Sequence, residues 1–211
     1  VRSRRQRQMC IRDRVLRVLA ADRPVISADP PGQPGLSGDV RPKGDRMAAY
    51  GAWFDELLPK ITDGPVLVLG HSLGAAMLLD STPSDRVAGL LLVDPAGLAA
   101  AGTGGDLMRA ALPWMIGPRD SKSARLLNVL HGHDHRIEAS DPMARWWTLV
   151  ATHCRYALTP PTLTLECLRP WHDTPTVVAT GSEDVLFSPA RLHGPAPVSY
   201  THLTLPTTPY V

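Results

Sequence analysis

The sequence predicts an α/β fold: a parallel sheet covered on both faces by helices, with an all-helical insertion before the last core strand. Three observations predict it. Val25-Ile26-Ser27-Ala28, residues 65–69 and residues 87–93 are nearly continuous apolar runs separated by helix-compatible segments, the mark of strands buried on both faces. Residues 98–170 break that alternation and read as helices joined by loops. Gly70-His71-Ser72-Leu73-Gly74 joins an apolar run to a helical stretch through a sharp turn with a serine at its apex.

The elements follow in order. Residues 15–21 form a short apolar stretch suited to the end of a helix, and Val25 to Ala28 a short buried strand. Asp29 to Ser37 is a turn-rich loop with spaced glycines and prolines. Residues 45–58 read as a helix with Met47, Tyr50, Phe54, Leu57 and Leu58 along one stripe. Residues 65–69 are the second strand, 73–80 a helix and 87–93 a third strand, closed by Asp94-Pro95. The insertion divides into helices at about 104–116, 121–131, 141–157 and 162–168. Thr176-Val177-Val178-Ala179-Thr180 is the fourth strand and runs into Gly181-Ser182-Glu183-Asp184. The domain plan is therefore core at 15–97, helical cap or lid at 98–170 and core again at 171–197.

Composition narrows the function. With 211 residues and 44% hydrophobic side chains the chain builds one real core. No apolar run reaches the ~18 residues that span a bilayer, so no membrane partner is expected. Cys10, Cys154 and Cys167 are too scattered for a disulfide framework or a thiolate zinc site. The net charge of +2 is uneven: residues 1–14 carry six arginines and one aspartate, while the remainder carries 16 basic and 19 acidic side chains. A basic arm of this kind suits nucleic acid, a transit peptide or an unstructured tail. Residues 1–14 and 198–211 also resemble translated sequencing-adapter read-through at the ends of metagenomic genes, which would make both tails foreign and the body truncated at each side. On that reading nucleic acid is not a partner, and the cytoplasm is the expected location.

The chemistry concentrates at the pentapeptide. The turn needs small residues flanking the serine, and a side chain at Gly70 or Gly74 is expected to clash. It lifts Ser72 Oγ out of the sheet and leaves the backbone N–H of Leu73 free to bind a developing oxyanion. The alternative is a serine that only caps the following helix.

Four segments together resemble the α/β-hydrolase family, in its bacterial esterase-like branch of serine hydrolases: residues 25–37, the elbow at 70–74, Leu91-Leu92-Val93-Asp94-Pro95 and Gly181-Ser182-Glu183-Asp184. They cover roughly residues 15–190 in the family's order. The resemblance implies a partial doubly wound parallel sheet and hydrolysis of a small-molecule acyl substrate without a metal or organic cofactor. It implies Ser72 as nucleophile, Leu73 N–H as oxyanion donor and Asp184 as the triad acid, with Asp94 as the alternative acid and His71 on the pocket wall. The family's second oxyanion donor and its catalytic histidine have no match. His193 follows Asp184 too closely for an intervening strand, and His202 lies in the suspect tail without small flanking residues. The strand missing between Val25 and Val66 predicts a gap in the sheet, hence marginal stability or aggregation through open edges.

Two other readings stand beside this one. His131-Gly132-His133-Asp134-His135 offers three imidazoles and a carboxylate to a metal-dependent hydrolase, although its place between lid helices suits a solvated loop. A non-catalytic ligand-binding module would keep the elbow without the reaction. Asp29 to Ser37 has glycines but no phosphate-binding pattern, which disfavours a nucleotide. Trp146, Trp147 and Trp171, with Met108 and Met115, are expected to supply apolar area in the lid, as packing or as an acyl pocket.

Overall fold

A computed structural model describes residues 10–131, 136–154, 162–193 and 201–205. Helix α1 (Cys10–Leu19) is followed by an extended segment and then by α2 (Arg46–Ile61). Asp45 caps α2, its carboxylate accepting the amides of Met47 and Ala48 at 3.2 Å each. Met47, Tyr50 and Leu58 of the expected stripe are buried, with Phe54 packed against them. Strand β1 (Val66–His71), α3 (Leu73–Leu79) and β2 (Val87–Val93) follow at the places the apolar runs required. The cap helices are α4 (Gly105–Ile116), α5 (Asp120–Leu130), α6 (Pro142–His153) and the short α7 (Leu165–Leu168). Strand β3 (Thr176–Gly181), α8 (Pro189–Leu192) and β4 (Thr201–Leu205) close the described chain.

The four strands form one parallel sheet in the order β1-β2-β3-β4. Its core gathers Tyr50, Leu58, Leu79, Leu92, Val178 and Trp171. Parallel pairing puts the C-terminal ends of β1, β2 and β3 side by side: His71 pairs with Val93, and Val93 with Ala179. The residues that leave those ends therefore meet at one rim.

Four expectations change. Val25 to Ala28 is not a strand, and Val25 and Ile26 are exposed. The segment is bracketed by Pro24 and Pro30, which have no amide to donate, and no described strand lies beside it. No gap interrupts the sheet; it simply ends at β1 among the described residues. Among the described residues only one face of β1 is covered, because Val66 and Val68 pack on the core while Leu67 and Leu69 are exposed. Trp171 does not belong to the lid. It is wholly buried in the main core and donates its indole N–H to Leu79 O at 3.2 Å. Strand β4 meanwhile falls within the tail read as foreign, and pairs residue by residue with β3.

The cap has cores of its own, built from α4, α5 and α6. Trp114 and Trp147 stack at 5.8 Å with a 51° tilt. The Trp114 indole donates to Ser123 Oγ at 3.0 Å, and Ser123 Oγ lies 2.8 Å from Thr148 Oγ1. One polar chain thus links all three helices through a buried serine. Met115 packs there too, whereas Met108 is exposed. Two backbone bonds tie the insertion to the core: Leu163 N–H to Gly97 O at 2.7 Å and Gly102 N–H to Leu186 O at 2.8 Å.

Candidate active site

Ser72 stands between β1 and α3 with φ 49° and ψ −115°, a region that non-glycine residues occupy only under constraint. Its backbone supplies the constraint. Ser72 N–H donates to Val93 O at 2.9 Å, while Ser72 O accepts Ala75 N–H at 3.0 Å and Ala96 N–H at 3.2 Å. The side chain makes no capping hydrogen bond, so the capping alternative does not hold. Leu73 begins α3, and its N–H is one of the first-turn donors without an intrahelical acceptor.

The two glycines differ. A Cβ on Gly70 would lie 2.8 Å from Ala75 Cα and 3.0 Å from Ala75 N, whereas one on Gly74 would meet nothing within 4 Å. The expected clash is real at Gly70 and absent at Gly74, where no described strand approaches.

Asp94 leaves β2 with φ 44°, and Asp184 sits in the loop after β3. Asp184 Oδ1 accepts the amides of Leu186 at 2.7 Å and Phe187 at 2.6 Å. Asp94 Oδ1 accepts Gly181 N–H at 3.1 Å, and its Oδ2 lies 3.7 Å from His71 Nε2. Burial pushes Asp184 above the ordinary carboxylate range and the neighbouring Asp94 charge adds to it, against the pull of the two amides. Asp94 is held below that range: burial opposes this, but the nearby His71 and the hydrogen bond from the Gly181 amide outweigh it.

His71 is an exposed residue at the end of the edge strand. His193 closes α8 and is exposed. His202 lies inside β4, paired with Val178 and short of the rim. Among the described residues no imidazole is hydrogen-bonded to Asp184. His131 ends α5 with Nδ1 3.0 Å from Leu127 O; His133 and His135 lie outside the described residues. The described residues contain no cluster of three or more metal-ligating side chains, and none of their helices is long and apolar enough to cross a membrane.

A groove of about 890 Å³ runs between the inserted helices and the loop after β3, lined in part by Arg125, Asn128, Ile137, Glu183 and Val185. Ser72 does not line it. Sequence reasoning missed the approach of His71 and Gly181 to Asp94, which the pairing of neighbouring parallel strands creates.

A strained serine between strand and helix, beside carboxylates at the same sheet rim, is the geometry of a nucleophile elbow. The model of the alpha/beta hydrolase family matches residues 9–205. The chain belongs to that family. Among solved structures this hydrolase resembles an esterase, RhEst1, from Rhodococcus sp. ECU1013, at 21% identity over 95% of this chain and 78% of that one, with a TM-score of 0.67. It also resembles naproxen esterase (carboxylesterase NP) from Bacillus subtilis, at 16% identity over 76% of this chain, with a TM-score of 0.54. MGS-M2, an alpha/beta hydrolase enzyme from a Medee basin deep-sea metagenome library, aligns at 12% identity over 94% of this chain and 77% of that one, with a TM-score of 0.61. The hydrolase spans only 58% of the naproxen esterase chain. A comparison with curated proteins finds no match.

Proposed function

We propose that this alpha/beta hydrolase is a serine hydrolase of esters or related small acyl compounds. The observation that carries the reading is the backbone of Ser72, held at φ 49° with its hydroxyl unspent on the helix it precedes. Strain of this kind costs about 1–3 kcal/mol and persists where the surroundings over-determine it, most often at functional sites. The esterases it resembles support the same reaction class.

In this mechanism Ser72 Oγ attacks the acyl carbonyl. The hydroxyl proton passes to an imidazole and from there to the leaving group. Asp184 orients that imidazole and stabilises its protonated form. Leu73 N–H binds the oxyanion, a role in which one donor is worth roughly 100- to 1,000-fold in rate. Among the described residues no imidazole is hydrogen-bonded to Asp184. That same observation favours a second reading, a ligand-binding module that retains the elbow.

A fluorophosphonate probe separates the two. Labelling lost in Ser72→Ala supports the hydrolase, and undiminished labelling identifies another nucleophile. Ligand binding without any serine labelling supports the module.

A further inference from the structure

Three strand ends and the acid loop converge on one carboxylate. Asp94 is the first residue beyond β2. Its Oδ1 accepts the Gly181 amide of β3 at 3.1 Å, and its Oδ2 faces His71 of β1 at 3.7 Å. Asp184 follows in the loop that leaves Gly181, and the Asp94 charge helps raise its carboxyl. His71 acts on Asp94, and Asp94 in turn acts on Asp184. Asp184 has one oxygen committed to the amides of Leu186 and Phe187. Its other oxygen is left for Asp94 or for an incoming imidazole.

We propose that Asp94 is a positioning residue rather than a spare acid: its carboxylate docks the Asp184 loop and the end of the elbow strand onto one rim. This rests on the reading of Ser72 and Asp184 as nucleophile and acid. The Asp94 charge opposes ionisation of Asp184, so the two carboxyl groups are expected to titrate as a pair. Asp94, gripped by Gly181 and His71, is the partner that stays ionised, so the proton resides on Asp184. A cation arriving at Asp184 displaces that proton to solvent, leaving both carboxylates charged around it. Asp94 thereby ties the ionisation of the acid to the arrival of the base.

The test is a carboxyl-carbon NMR titration of the full chain with Asp94→Asn and Asp94→Ala. Asparagine keeps an oxygen for the Gly181 amide and removes the charge. The Asp184 midpoint is expected to start above the ordinary carboxylate value and to move down in Asp94→Asn; an unchanged midpoint overturns the proposal. In Asp94→Ala the Gly181 amide loses its acceptor, and its hydrogen exchange should accelerate at least about tenfold; equal exchange also overturns it. Should either variant unfold, the native chain decides alone. Asp94 and Asp184 must each show a two-step curve, and independent single-step curves refute the pairing. Fluorophosphonate labelling of the same samples keeps the readings apart. Paired titration without Ser72 labelling removes the hydrolase and retains the carboxylate link, whereas a labelled Ser72 with unpaired carboxylates removes only the positioning role.

Discussion

The amide of Ser72 donates to the carbonyl of Val93 at 2.9 Å. This bond fastens the apex of the elbow to the end of the neighbouring strand. The return bond from the Ala96 amide to Ser72 O, at 3.2 Å, fastens it again. The positive φ at Ser72 is therefore imposed by two flanking segments. Glycine adopts such a backbone freely, so Ser72→Gly should raise stability by about 1 kcal/mol while removing serine labelling. Chemical denaturation measures the first effect and the fluorophosphonate probe the second. A destabilised Ser72→Gly would show that the backbone there is unstrained.

The two elbow glycines should respond differently to one added methyl. Gly70→Ala drives a Cβ to 2.8 Å from the Ala75 backbone, and overpacking of this kind costs about 1–3 kcal/mol. Gly74→Ala enters open space inside α3, where alanine is favoured over glycine by up to about 1 kcal/mol. Urea midpoints of the two variants should thus fall on opposite sides of the parent. Equal losses would mean that a neighbour crowds Gly74 as well.

Much of this was legible from residue pattern. The runs at 66–71, 87–93 and 176–181 became strands because their apolar periodicity, length and bounding turns all agreed. Val25 to Ala28 shows why the rest was not. Its composition suits a strand, but a strand exists only with a ladder partner, and partnership is a property of the whole sheet. Trp171 misled for a similar reason, since nothing local distinguishes a tryptophan of the cap from one closing the main core. Ser72 was found because a strained turn demands particular neighbours. The hydrogen bond from the Gly181 amide to Asp94 was not, because a long stretch of chain separates two groups that only the strand register brings together.

Asp184 should weaken the fold at neutral pH. Its carboxyl is pushed above the ordinary range by burial and by Asp94. The folded chain therefore binds the proton more tightly than the unfolded one, and stability falls as pH rises from the unfolded value through the folded one. Asp94 acts in the opposite sense: its folded value is lowered, so its contribution is present above the ordinary value and is lost on acidification. Asp184→Asn keeps an acceptor for Leu186 and Phe187 but has no charge to bury. Its melting temperature should exceed the parent's at pH 7, and the difference should shrink as pH falls below the unfolded carboxylate value, about 4. Melting curves across that range check the sign, and a variant that melts lower at pH 7 would refute it.

Strand β1 should govern how the chain behaves in solution. It is the outermost described strand on its side of the sheet, and Leu67 and Leu69 stand 71% and 44% exposed on its uncovered face. An edge that offers both unpaired backbone groups and an apolar face is a template for a second chain. The parent is therefore expected to aggregate or to melt without a sharp transition above about 50 °C. Leu67→Lys places a charge on the exposed face without touching Val66 or Val68, which pack inward. Size-exclusion chromatography should show less aggregate for this variant at equal concentration, with the far-ultraviolet dichroism unchanged. A parent that is already monomeric and melts cooperatively above that temperature would show that the edge is covered by chain outside the described residues.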